Sequence, residues 1–190
     1  GIHFGEGSLQ VLNSIIWGNG NPATHAQTLE ENQIRVQPEG SLEIDYSVVE
    51  YWSGRYGGPG NTGNSGVDPM LADPDGDDDI PGNEDDDARL LPGSPLINGG
   101  LPSAYALATD LDGHARILCG QVDIGAYEFG IGDVNCDQAV DLLDQAIWDD
   151  CMTDPRPSTV QPGCEAFDFN ADSDIDLSDF AAFQRVFAVP

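Results

Sequence analysis

Asp133-Val-Asn135-Cys-Asp137-Gln-Ala139-Val140-Asp141-Leu-Leu-Asp144 is followed, 35 residues on, by Asp168-Phe-Asn170-Ala-Asp172-Ser-Asp174-Ile175-Asp176-Leu-Ser-Asp179. Both twelve-residue stretches put oxygen-bearing side chains at positions 1, 3, 5, 9 and 12, with a β-branched residue at position 8. Calcium is wrapped by this spacing: three early side chains, a backbone carbonyl at position 7, a water-linked group at 9 and a closing carboxylate at 12. The expected ligands of one ion are Asp133, Asn135, Asp137, Ala139 (through its carbonyl), Asp141 and Asp144. Those of a second are Asp168, Asn170, Asp172, Asp174, Asp176 and Asp179. A merely solvated acidic face has no reason to repeat the spacing. Position 6, where such a loop turns with positive φ and Gly is usual, holds Gln138 and Ser173, so a lowered affinity is expected.

Each loop runs into a helical stripe: Leu142, Leu143, Ala146 and Ile147 after the first, Phe180, Phe183, Val186 and Phe187 after the second. No comparable helix precedes either loop. The duplicated loop and exiting helix resemble the type I dockerin module over about residues 131–188. The resemblance implies a pair of EF-hand-like calcium sites in a docking module. Cohesin binding does not carry over. Positions 10 and 11, which cellulosomal dockerins use for it, are Leu142-Leu143 and Leu177-Ser178 here, and Trp148-Asp149 stands in place of a basic pair.

Composition narrows the partners. Of 190 residues, 34 are acidic and six basic, all six of them Arg, for a formal charge of −28. Nucleic acid and anionic membrane would be repelled, whereas divalent cations would relieve the self-repulsion. No apolar run reaches the length of a membrane span. The first residues are neither basic nor continuously hydrophobic, so any secretory leader is expected to be already removed. Residues 1–130 and 131–190 are the expected domains. Four cysteines allow three fully paired connectivities. Cys151–Cys164 is favoured, closing a short loop around Pro155, Pro157 and Pro162; a Cys119–Cys136 bridge across the domain junction is the less favoured pairing. Disulfides imply an oxidising, extracellular setting. Without Cys-x-x-Cys and with only three His, zinc is not expected.

The first 130 residues read as short strands. Ser8-Leu-Gln-Val-Leu-Asn-Ser-Ile-Ile-Trp17 aligns at an offset of 33 with Ser41-Leu-Glu-Ile-Asp-Tyr-Ser-Val-Val-Glu50, and Ile34 with Val36 marks a strand between them. Alternation and β-branched pairs favour strand, and the period predicts coils of a parallel β-helix, with an antiparallel sandwich as the alternative. Downstream, Val67-Asp-Pro-Met-Leu-Ala-Asp-Pro74, Arg89-Leu-Leu-Pro-Gly-Ser-Pro-Leu-Ile-Asn-Gly-Gly100, Thr109-Asp-Leu-Asp-Gly-His-Ala-Arg116 and Val122-Asp-Ile-Gly-Ala-Tyr-Glu-Phe129 follow in order. This series resembles the C-terminal, choice-of-anchor region of secreted bacterial right-handed β-helix proteins of Planctomycetes type, over about residues 8–129. The expected fold is thus mainly β: right-handed parallel β-helix coils, an irregular acidic-loop cap, and a small α module of calcium loop–helix repeats. Nine carboxylates fall between Asp73 and Asp87, and Asp73, Asp75 and Asp77 repeat the 1, 3, 5 spacing of a third calcium site.

Catalysis is not expected. Lys is absent, Arg35 and Arg55 are the only basic residues of the repeat region, and Asp45 and Glu50 point to opposite faces of an unbroken strand. His3, His25 and His114 have no nucleophile beside them and read as turn or surface residues, with Arg116 paired to Asp112. Trp17, Tyr51, Trp52 and Tyr56 could stack on sugars but fit a core or cap better. The expectation is a non-catalytic, extracellular calcium-binding attachment module that serves surface or matrix assembly. Its partner would be a protein or a second copy met head to tail, with carbohydrate an additional partner. The alternatives are a cohesin-type docking module and the non-catalytic end of a polysaccharide lyase or glycosidase.

Overall fold

The alternating segments near the N-terminus form strands and pair with each other. In the computed structural model, which describes residues 1–19, 30–56, 63–101, 107–152 and 159–186, β1 (Ile2–Phe4), β2 (Gly7–Leu12) and β3 (Ile15–Ile16) are followed by a single helical turn, α1 (Glu30–Gln33). Next come β4 (Ile34–Val36), β5 (Gly40–Asp45) and β6 (Val48–Val49), which pair in parallel with β1, β2 and β3 respectively. Ser8 lies opposite Ser41, Leu9 opposite Leu42, Val11 opposite Ile44 and Ile15 opposite Val48. Of the residues singled out above, His25, Pro155, Pro157 and Phe187 lie outside the described residues.

The corner between successive strands is built alike in both repeats. Asn13 (φ 48°) and Tyr46 (φ 47°) take the left-handed conformation. The serine that follows each one donates its hydroxyl two residues back, Ser14 to the Leu12 carbonyl at 2.8 Å and Ser47 to that of Asp45 at 2.9 Å. Ser47 Oγ also accepts the Ser14 N–H at 3.1 Å, so one buried hydroxyl ties the two corners together. Ile16, Ile34, Ile44 and Val49 form the core, with Ile2, Val11, Val36, Leu42, Trp52 and Tyr56 packed against it. Two of the four aromatics weighed as sugar platforms, Trp52 and Tyr56, are therefore packing residues.

The expected parallel β-helix is not what the chain builds. Its described strands are two to six residues long and form four separate two-stranded sheets, so the fold is a small mixed α/β arrangement with no solenoid among the described residues. The physical reason lies in the next stretch. A third repeat at the same offset would fall on residues 74–83, Pro74-Asp-Gly-Asp-Asp-Asp-Ile-Pro-Gly-Asn83. Those carboxylates cannot be buried in a coil, so the stacking does not extend along this stretch. The chain instead turns back on itself. β7 (Leu71–Asp73) pairs antiparallel with β8 (Asp87–Leu90), and the acidic loop runs between them.

The chain divides into two compact units, one of Gly1–Leu90, Ser94–Leu101 and Asp123–Gly125, the other of Leu91–Gly93, Pro102–Val122 and Ala126–Pro190. The ordered motifs close contacts inside these units. In the first, Ser94 Oγ donates to the Pro69 carbonyl at 2.7 Å and the Asn98 N–H to Asp123 Oδ1 at 2.6 Å. In the second, Arg116 pairs with Glu128 at 2.6 Å, both side chains nearly buried, so the Arg of the D-L-D-G-x-x-R motif is held by the Glu of V-D-I-G-A-Y-E-F.

The second unit carries α2 (Leu142–Gln145), α3 (Trp148–Cys151), a 3-10 turn (Glu165–Phe167) and α4 (Leu177–Val186). The stripe expected after the first loop is corrected here. Leu142 and Leu143 are exposed, the helix breaks into two single turns, and the buried side chains are Asp144, Trp148 and Cys151. Trp148 meets Phe167 at 4.6 Å and Phe180 at 5.0 Å between ring centres, and Phe167 meets Phe183 edge-on at 5.4 Å. Phe183 is buried as its stripe requires, whereas Val186 is exposed. Both disulfides form, Cys151–Cys164 and the less favoured Cys119–Cys136.

Ile44 is fully buried, so Ile44→Ala should cost about 2–5 kcal/mol, read as a drop in the urea midpoint of the first unit's transition; Ile80→Ala, at an exposed position, should leave that midpoint unchanged.

Candidate functional site: two acidic loops with one hydrogen-bond plan

The two loops share the same internal hydrogen bonds at the same positions. The position-5 N–H reaches Oδ1 of position 1 (Asp137 to Asp133, 3.1 Å; Asp172 to Asp168, 3.2 Å). The position-6 N–H reaches Oδ2 of the same residue (Gln138, 2.8 Å; Ser173, 3.1 Å). Position 5 also donates to position 3, and position 7 to position 5. The position-12 carboxylate closes the loop from the far side. Asp144 Oδ1 accepts from Val134 and Asn135, and Asp179 Oδ1 from Phe169 and Asn170. The remaining oxygens, Oδ2 of Asp144 and of Asp179, accept from Asp141 (2.9 Å) and Asp176 (3.0 Å). Position 9 completes the pattern by capping its helix, Asp141 with the Leu143 N–H and Asp176 with that of Ser178.

Backbone conformation repeats as well. Position 4 is left-handed in both loops (Cys136, φ 66°; Ala171, φ 56°), and so is position 6 (Gln138 and Ser173, both φ 70°). The turn expected at position 6 is present, made by residues that take this conformation at a steric cost of about 1–2 kcal/mol each. Asp141 and Asp144 form a reciprocal capping box on α2, a second use of the same carboxylates that Asp-x-x-Asp at a helix start signals.

Charge is concentrated where these loops fold. Asp144 and Asp179 are fully buried, and Asp133 nearly so. Burial pushes the Asp133 and Asp168 carboxyls above their ordinary value, against the pull of the N–H donors from positions 5 and 6. Asp174 is raised too, by loss of solvent and then by Asp172, Asp176 and Asp179. The oxygens of Asp172, Asp174 and Asp179 come within 4.8 Å of one another and could hold a metal ion. The Asp174 Oδ1 atom is out of solvent and meets no donor. In the first loop position 7 is Ala139, and that loop brings no such trio together among the described residues.

The other candidates fare differently. Asp110, Asp112 and His114 converge within 4.8 Å and form the second group able to hold a metal ion, although their spacing alone signals only a turn. Asp73, Asp75 and Asp77 do not converge in this way among the described residues. Gly76 turns there at φ 62°, and desolvation and then Asp75 and Asp77 raise the Asp73 carboxyl. Glu50, weighed as a catalytic carboxylate, accepts from the Gly18 N–H and the Gln33 amide.

A groove of about 460 Å³ is lined by Leu142, Ala146, Trp148, Met152, Leu177 and Phe180, with Gln145 and Asp149. Leu142 and Leu177 are the position-10 residues of the two loops, and both are more than two-thirds exposed. Both disulfides suit an oxidising compartment, and no helix among the described residues is long and apolar enough to cross a membrane. The chain matches no protein-family model, no curated protein and no solved structure.

Two outcomes follow from this geometry. Ser173→Gly relieves a left-handed serine, so the second unit should gain up to about 1 kcal/mol of stability, measured as a rise in its melting temperature in EDTA. The raised carboxyls of Asp133, Asp168 and Asp174 bind protons more readily folded than unfolded. Without cation, stability should therefore rise as pH falls from neutral through their raised pKa values, and level off below the ordinary carboxylate range. Were a divalent cation bound, the sign would reverse, because protons compete with the ion. Scanning calorimetry in EDTA and in millimolar calcium, at about pH 7 and about pH 5, reads both slopes.

Proposed function

We propose that this chain is a non-catalytic, extracellular calcium-binding attachment module whose residues 131–190 are dockerin-like and fold around two calcium ions. The observation that carries the reading is the hydrogen-bond plan that the two loops share, position by position, from Asp133 to Asp144 and from Asp168 to Asp179. Backbone N–H groups and helix caps turn one oxygen set inward, and each ion would then supply the positive charge that the clustered carboxylates lack.

Calcium in this reading is a folding ligand. Binding closes position 12 onto position 1, which fixes the start of α2 and of α4 and so the aromatic cluster that Trp148 and Phe183 share. That order holds open the apolar groove between Leu142 and Leu177, the face such a module would offer to a protein partner at a cell surface or in a matrix. Its strongly acidic surroundings favour a partner whose rim is basic and whose centre is apolar.

Calcium titration by calorimetry and native mass spectrometry should count two ions. Asn135→Ala and Asn170→Ala should each weaken one site and leave the other. Size exclusion with light scattering, in millimolar calcium and again in EDTA, gives the second readout. Large calcium-dependent species would mean self-association; a compact monomer that swells in EDTA would mean a heterologous partner. Identical behaviour in both buffers, with no ion counted, would overturn the calcium reading.

A further inference from the structure

The turn from Asp110 to His114 lies outside the calcium plan yet gathers two carboxylates and an imidazole. Asp110 is fixed in place: its side chain is 1% exposed, and its Oδ1 accepts from the N–H groups of Asp112 and His114, both at 2.9 Å. Oδ2 accepts the Glu128 N–H at 3.1 Å. Gly113, at φ 92°, makes the tight return that brings His114 back over Asp110.

The imidazole is set for ligation by a residue far away in sequence. His114 Nε2 lies 3.2 Å from the Phe169 carbonyl oxygen. A carbonyl only accepts, so Nε2 carries the hydrogen, and in the neutral ring Nδ1 is left with a bare lone pair. Nδ1 faces Asp110 Oδ2 at 3.8 Å. In that neutral tautomer two acceptors face each other across a gap too long for a hydrogen bond. A cation fits between them, since metal–nitrogen and metal–carboxylate bonds are each about 2.0–2.2 Å. The Nε2–H to carbonyl bond is the outer-shell contact that orients metal-binding histidines.

We infer that Asp110, Asp112 and His114 form a third cation site, separate from the calcium loops and suited to a first-row divalent ion of the zinc, cobalt or manganese class. Calcium and magnesium take oxygen ligands, so the imidazole nitrogen selects against them. Two carboxylates balance the ion's charge, and three protein ligands leave an open position for water or an incoming group. The site also abuts the second loop. Phe169 is position 2 of that loop, and its own N–H is held by Asp179. Filling the turn therefore steadies the backbone that the second calcium needs, a coupling that rests on the calcium reading, whereas the site itself does not.

The test uses the whole chain in saturating calcium, so that both loops are filled, titrated with Co²⁺ and with Zn²⁺ by calorimetry and by cobalt absorption. One equivalent beyond calcium is expected, with cobalt bands of mixed nitrogen and oxygen ligation. Outer-shell losses alone weaken metal sites about 10–100-fold, so removing a ligand in His114→Ala or Asp112→Asn should weaken this one by about 100-fold or more. The calcium count should stay unchanged. Asp112 is exposed, so Asp112→Asn carries the test if His114→Ala fails to fold. No bound cobalt with calcium intact, or cobalt that persists in both variants, would overturn the site. A zero calcium count with cobalt still bound would instead overturn the calcium reading and leave this site standing.

Discussion

Asp144 and Asp179 are wholly buried carboxylates in a protein of charge −28, and the second unit is arranged around keeping them there. Each accepts three backbone N–H groups, two from the start of its loop and one from the residue that caps the following helix. Hydrogen bonds to a charged acceptor are worth about 1.5–3 kcal/mol each, enough to offset much of the desolvation of one carboxylate. They do not neutralise its neighbours. Position 1 in each loop stays raised by burial, and Asp174 adds a fifth carboxylate to the second loop. The geometry is satisfied by the backbone, but the charge is not.

The loops meet this constraint by different means. In the first, Cys136 at position 4 is tied to Cys119, so a covalent link restrains the turn that the backbone strains to make. In the second, Ala171 holds that place without a bridge, and the turn at Gly113 packs beside it, close enough that an added Cβ would meet that of Ala171 at 3.5 Å. Behind both loops lies the Trp148, Phe167 and Phe183 cluster, closed by Cys151–Cys164. Aromatic packing and cross-links carry the unit where its acidic surface cannot.

Much of the loop geometry was legible because its residues are close in sequence. Spacing alone put Asp133, Asn135, Asp137 and Asp144 in one loop and their counterparts in another, since a twelve-residue loop leaves little freedom in where its oxygens go. The left-handed turn at Gln138 and Ser173 was legible for the same reason. The Asp110, Asp112 and His114 group was not. Its spacing is just as local, but the usable nitrogen of His114 depends on the Phe169 carbonyl, 55 residues later. Cys119–Cys136 was less legible because the distance between two turns is not written in either of them.

In the first unit the sequence determined which segments pair. The offset of 33 that aligns Ser8–Trp17 with Ser41–Glu50 is the register of β2 with β5, because identical alternation can be buried on one face in only one alignment. Repetition did not determine the number of layers. Growth of a sheet depends on what the next stretch can bury, and residues 74–83 are too charged to enter a core. Local chemistry, in the acidic loops, the serine corners and the alternating strands, was therefore determined by the sequence alone. The tertiary structure decided where repetition stops, which cysteines meet and which lone pairs face each other, because those outcomes depend on distances between segments far apart in the chain.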